Sequence, residues 1–147
     1  MVDKLIIRKG CYKDLQSILL IETHVFKKER WSRNMLEEEL TSFHDRISWV
    51  ATYNKDILGY LMIRYSKNEI NIMNMAVTHL FQGKGIGRLL INHMIKDFPV
   101  HSSIYLEVKK GNLPAINLYS SIGFKKVGLR RNYYQDGKDA ILMHLRN

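Results

Sequence analysis

The sequence predicts an α/β fold in which a mixed sheet of seven strands carries about four helices on its faces. Three observations lead there. Apolar residues alternate with a period of two in some segments and recur every three to four residues in others. The two kinds of segment interleave in the order β-α-α-β-β-β-α-β-α-β-β, which mixes direct hairpins with helical crossovers. The 147 residues suit one domain, residues 1–147, able to hide roughly two-thirds of its unfolded surface.

Each element has a local reason. Leu5-Ile6-Ile7 reads as a short first strand. From Leu15 the apolar positions Leu15, Ile18 and Leu19 take helical spacing. Ser32 is placed to cap a second helix with Met35, Leu36 and Leu40 on its inner face. Ile47 to Tyr53 and Ile57 to Tyr65 are rich in β-branched and aromatic residues, and Asn54-Lys55-Asp56 joins them as an antiparallel hairpin. Ile70 to Val77 follows as a further strand. The turn Gln82-Gly83-Lys84-Gly85-Ile86-Gly87 then opens a helix with Ile86, Leu89, Leu90 and Met94 on one face, and Pro99 stops it. Ile104, Leu106 and Val108 alternate with Tyr105 and Glu107, so the two sets face opposite sides of a strand. Asn112 reads as an N-cap, Pro114 fits the first turn, and Ala115, Leu118, Tyr119 and Ile122 form a stripe that Gly123 ends. Two strands, Lys125 to Leu129 and Ala140 to Leu145, close the chain.

Composition narrows the function. With 23 Lys and Arg against 14 Asp and Glu, the formal charge is +9. That favours an anionic partner such as a nucleotide cofactor, a nucleic acid or a ribosome, or else is simply a basic surface. The cations are scattered without a helix-turn-helix, zinc-finger or RNA-recognition signature, so nucleic acid is not required. The single cysteine, Cys11, excludes an internal disulfide framework, fits a reducing cytoplasm and reads as a structural thiol. No apolar stretch approaches the ~20 residues of a membrane helix, and Met1-Val2-Asp3-Lys4 lacks the features of a signal peptide. A cytoplasmic protein is expected, with no membrane partner. His24, His44, His79, His93, His101 and His144 show no metal-ligand spacing, so no metal is expected.

Four features can carry chemistry, and each has a plainer alternative. The glycine turn can present backbone N–H groups to an anion, with Lys84 and Arg88 beside it, or can be a simple strand-to-helix turn. Its G-x-G-x-G spacing is neither the dinucleotide G-x-G-x-x-G nor the P-loop pattern. Glu107, a carboxylate in an apolar strand, can act as a base or can face water. Tyr119 lies on the apolar stripe of its helix, as a core aromatic or a functional phenol. Arg130-Arg131-Asn132-Tyr133-Tyr134 is a binding loop or a solvated turn. Met62, Met73, Met75 and Met143 read as core filler.

Taken together these segments resemble the GNAT N-acetyltransferase superfamily. Asn74-Met75-Ala76-Val77 with Gln82-Gly83-Lys84-Gly85-Ile86-Gly87-Arg88-Leu89-Leu90 is similar to its acetyl-CoA motif, (Q/R)-x-x-G-x-(G/A). Leu106-Glu107-Val108, Asn112, Ala115, Leu118-Tyr119 and Gly123-Phe124 match the second half of that fold. Arg130-Arg131-Asn132-Tyr133-Tyr134, Asp136-Gly137, Asp139-Ala140 and Met143 look like the RimI-like group of protein N-terminal acetyltransferases. Two departures stand out. Lys27-Lys28-Glu29-Arg30 separates Phe26 from Trp31-Ser32, and Thr78-His79-Leu80-Phe81 lacks the usual proline.

The resemblance implies a GNAT fold, a mixed and mostly antiparallel seven-stranded sheet with a strand splayed from its neighbour, and acetyl-CoA as co-substrate. It implies that Gly83, Lys84, Gly85, Ile86, Gly87 and Arg88 cradle the pyrophosphate, that Met75, Ala76 and Val77 pair with pantetheine, and that Asn112 bonds the pantetheine arm or nearby backbone. Glu107 is then the general base through water, Tyr119 the general acid, and Tyr133 and Tyr134 flank the peptide. The implied reaction is direct acetyl transfer, in a ternary complex, to a protein N-terminus, the N-terminal alanine of a small-subunit ribosomal protein among the candidates. A lysine side chain or a small-molecule amine is the alternative acceptor. At pH 7, deprotonating an α-amine costs ~1.4 kcal/mol against ~4.6 kcal/mol for lysine, which suits one water-relayed carboxylate.

Overall fold

In a computed structural model, residues 4–41 and 43–147 are described. The reading of Met1, Val2 and Asp3 therefore lies outside the described residues. Seven strands form one sheet: β1 (Leu5–Lys9), β2 (Arg46–Tyr53), β3 (Asp56–Ser66), β4 (Glu69–Val77), β5 (Ser103–Lys109), β6 (Lys125–Arg130) and β7 (Ala140–Arg146). Four α-helices accompany them: α1 (Leu15–Phe26), α2 (Arg33–Glu39), α3 (Ile86–Lys96) and α4 (Leu113–Ile122). The strand order is β1-β2-β3-β4-β5-β7-β6, and the one parallel pairing is β4 with β5. The predicted order of elements is the observed one. Among the described residues no helix is long and apolar enough to cross a membrane.

Helices cover both faces of the sheet, so its middle strands are apolar on both sides. Along β3, Tyr60 and Met62 pack with Leu15, Ile18 and Leu36 of α1 and α2. Leu61 and Ile63, pointing the other way, pack with Leu90, Ile91 and Met94 of α3. The β2–β3 hairpin closes through Asn54 and Lys55, both at positive φ, the geometry that matches strand twist in a two-residue turn. Ser32 caps α2, its hydroxyl accepting the Met35 N–H at 3.2 Å.

Four local expectations need correction. Met35 is 46% exposed, and Leu36 alone fills the core in that turn. Leu89 is also 46% exposed; the inner face of α3 is Ile86, Leu90, Ile91 and Met94. With 3.6 residues per turn, Leu89 falls a full step off that stripe. Cys11 is an exposed thiol rather than a packed one, while its N–H donates to Asp14 at 2.9 Å. Met62 and Met143 are core residues, but Met73 and Met75 are only half-buried and line a cavity.

Met73 marks the feature that shapes the rest. The β3–β4 ladder pairs Met62 with Asn74 and Ile63 with Ile72, so Met73 is an extra residue in β4. A bulge of this kind shifts the alternation by one. Before it, Ile70 and Ile72 pack on the α3 side; after it, Ala76 packs on the α1 side.

Candidate active site

The parallel pairing of β4 and β5 runs only from Glu69↔Ser103 to Asn71↔Tyr105. Beyond those three positions the strands part, and the gap holds two adjoining cavities of about 220 Å³ and about 260 Å³. Phe26, Met75, Asn112, Ala115 and Tyr119 belong to both walls.

The larger cavity gathers Met75, Ala76, Val77, Gly83, Gly85, Ile86, Gly87, Arg88 and Asn112. Gly83 and Gly85 have φ of 76° and 87°, a left-handed conformation that costs other residues about 1–2 kcal/mol. A Cβ at either would meet nothing within 4 Å, so conformation rather than crowding asks for glycine. The Leu89 N–H is the first to bond back, to Gly85, which leaves the first turn of α3 with spare N–H groups and the positive end of the helix dipole at the cavity. Gln82 Nε2 donates to Val77 O at 2.9 Å and ties the turn to β4. The Arg88 guanidinium donates to the Ser121 hydroxyl of α4. Lys84 does not join this wall: its ammonium stands over the Phe81 ring, 5.9 Å from the centroid. Asn112 Oδ1 accepts the Ala115 N–H at 3.4 Å, capping α4 between the two cavities.

The smaller cavity holds Glu107, Tyr119 and Tyr134. The alternation of β5 buries Leu106 and Val108 and turns Glu107 and Lys109 to the open face. Glu107 Oε1 accepts from Arg130 Nε at 2.9 Å. Tyr119 is 8% exposed and meets Phe124 edge-on. Burial, with Tyr134 nearby, pushes its phenol up to about 12, so it is protonated at neutral pH. Burial and then the Glu107 charge push Tyr134 up to about 12 as well. Tyr133 is more open, 53% exposed. It lines a neighbouring recess with Glu107 and Tyr134, and its phenol is raised by burial and then by a hydrogen bond with Glu107.

Other residues enter the site unannounced. Glu22 of α1, 1% exposed, lines the smaller cavity. Its Oε1 accepts from Tyr60 and from Asn74 Nδ2, both at 2.5 Å, and its Oε2 accepts the Trp31 N–H at 2.9 Å. Burial and then the Glu22 charge drive the Tyr60 phenol far above its ordinary value. A signal existed: Glu22 follows Ile18 by four positions on the apolar stripe of its helix. Lys109 and Glu29 also line this cavity and are paired, and Lys109 pairs with Asp136 too. No local pattern announces that cluster. Among the described residues no group of three or more His, Cys, Asp or Glu side chains is placed to hold a metal ion.

The open joint is what sets this sheet apart from one covered and closed throughout. It leaves one edge of β4 open on the cleft, which ends at a carboxylate and a protonated phenol. Fold and cleft define an acyltransferase. The chain belongs to the acetyltransferase (GNAT) family, whose sequence profile matches residues 12–124. It is 35% identical over 136 residues to the N-alpha-acetyltransferase RimI of Mycobacterium tuberculosis, covering 88% of this chain and 85% of that one. The crystal structure of the ribosomal-protein-S18-alanine N-acetyltransferase from Escherichia coli superimposes with a TM-score of 0.88 at 30% identity, over 97% of this chain and 94% of the other. NAA60 of Arabidopsis thaliana, crystallised with acetyl-CoA, shares the fold with a TM-score of 0.83 at 20% identity, over 97% of this chain and 98% of that one.

Proposed function

We propose that residues 1–147 act as one domain, an acetyl-CoA-dependent N-alpha-acetyltransferase that acetylates protein N-termini in the cytoplasm. The N-terminal alanine of a small-subunit ribosomal protein is the first substrate to try, because the E. coli relative is named for that reaction. The observation that carries the reading is the single cavity of about 220 Å³ lined by both Glu107 and Tyr119, continuous with the glycine turn through Asn112 and Met75.

The residues fit acetyl-CoA: open space lies beside Gly83 and Gly85, and β4 past Asn71 has no strand partner on the β5 side. Bound there, acetyl-CoA supplies the acetyl thioester. Gly83, Gly85, Ile86, Gly87 and Arg88 hold its pyrophosphate through backbone N–H groups, with Asn112 beside the pantetheine arm. Met75, Ala76 and Val77 offer that arm a strand edge. Glu107 takes the proton of the peptide ammonium through a water. A backbone N–H of β4 faces the developing oxyanion. Tyr119 gives its proton to the departing sulfur. Tyr133 and Tyr134 flank the peptide, and Arg130 with Tyr133 orients the Glu107 carboxylate. Transfer is direct, within a ternary complex.

The test is thiol release from acetyl-CoA with peptides beginning Ala, Ser or Met-Glu, beside an N-blocked lysine peptide and the Glu107→Gln variant. Acetylation of free N-termini only, slowed about 100-fold or more in the variant, is expected. Turnover of the blocked lysine peptide alone overturns the N-terminal reading.

A further inference from the structure

Two residues apart on β5, Glu107 and Lys109 project to the same side of the sheet. Glu107 holds Arg130, whereas Lys109 reaches two segments far apart in the chain. Its ammonium lies 2.5 Å from Glu29 Oε1, in the helical turn Lys27–Glu29 that follows α1. It lies 2.5 Å from Asp136 Oδ2, between β6 and β7. It also sits 5.5 Å from the centroid of the Tyr134 ring. Asp136 and Tyr134 belong to one closed turn, in which Tyr134 O accepts the Gly137 N–H and Asp136 Oδ1 accepts the Lys138 N–H. Anchoring Asp136 thus anchors Tyr134. Glu29, Lys109 and Tyr134 all line the cavity of Glu107. Partly exposed ion pairs add little to global stability, so the effect of this bridge is local.

Resting on the N-terminal acetyltransferase reading, we infer that Lys109 is a positioning and specificity-determining residue for the peptide. It holds the Tyr134 wall and offsets one of the two negative charges of Glu29 and Asp136, so the cluster beside the peptide path carries a net charge of −1 instead of −2. Without Lys109 neither carboxylate is offset, and the enzyme's preference shifts toward basic peptides.

The experiment uses three peptides identical except for Lys, Ala or Glu at the second position, with the wild type, Lys109→Met, Lys109→Arg and Lys109→Met/Glu29→Gln/Asp136→Asn. In the wild type, KM for the Glu and Lys peptides agrees within about threefold. In Lys109→Met the Glu-to-Lys KM ratio rises about tenfold or more. Lys109→Arg returns the ratio to the wild-type value. The triple variant brings it to the wild-type value or below, while KM stays high for all three peptides because Tyr134 is unheld. A Lys109→Met variant that raises KM equally for all three peptides overturns the inference. If the wild type acetylates none of them, the N-terminal reading fails instead. Calorimetric titration of the same peptides into the coenzyme A-loaded enzyme then reads the charge preference without turnover, and an unchanged ratio there overturns the inference too.

Discussion

The two ends of the cleft are built from different materials. The glycine-turn end is made of backbone: positive φ at Gly83 and Gly85, spare N–H groups at the start of α3, and a stretch of β4 that pairs with β3 but not with β5. The Glu107 end is made of side chains tied across the chain, with Arg130 to Glu107 and Lys109 to both Glu29 and Asp136. A backbone-built site depends on a few residues in one segment. A site tied by side chains depends on where distant loops happen to meet. The first suits a ligand shared by a whole family, and the second can be retuned by one substitution.

The division can be broken or sharpened by experiment. The largest effect belongs to Glu107→Gln, which lowers kcat by about 10²–10⁴-fold while KM for acetyl-CoA stays within about twofold. Equal damage to both constants in steady-state assays would erase the distinction between the two ends. Tyr119→Phe comes next, at about 10²-fold in kcat. With the phenol near 12, Tyr119 produces no alkaline loss of activity until the pH approaches that value; a fall centred near pH 9 that disappears in Tyr119→Phe would contradict this. Gly85→Ala acts on the other end. Forcing a Cβ to φ 87° costs about 1–2 kcal/mol, so KM for acetyl-CoA rises about tenfold and peptide KM does not move.

The smallest effect is on pH dependence. Lys109 first, and then the Lys138 N–H, hold the Asp136 carboxyl below its ordinary value. A carboxyl lowered by folding supports the folded turn above its unfolded pKa of about 3.9, and that support is lost as pH falls through the lowered value. Protection of the Gly137 amide, corrected for intrinsic exchange, should therefore decline on acidification, and protection of the Leu89 amide at the glycine-turn end should not. Asp136→Asn should abolish the difference.

This contrast also explains what the sequence could disclose. The order of elements follows from periodicity, and Glu107 follows from the alternation of Ile104, Leu106 and Val108. The glycine turn is legible because positive φ singles out a residue type. Helix faces are legible only to within a step, as Met35 and Leu89 show. The bulge at Met73 is a surplus of one residue relative to β3, and no single strand carries that information. Lys109, Glu29 and Asp136 look like ordinary surface charges until the fold brings them together. The displacement of Lys84 onto Phe81 is equally a matter of tertiary placement. Glu22 is the instructive omission: a carboxylate on an apolar stripe is an anomaly that periodicity by itself exposes.

The short parallel ladder also bears on aggregation. Exposed strand edges recruit other strands, and proteins commonly guard them with charge. The outer edges here carry Arg8 and Lys9 on β1 and Lys125, Lys126 and Arg130 on β6. Parting β4 from β5 creates another edge at the middle of the sheet, and Ile72, Met73, Asn74, Met75, Ala76 and Val77 include no charged residue to guard it. Recession protects it instead. A gap of a few hundred Å³ is too narrow for a foreign sheet, so depth does at this edge what charge does at the outer ones.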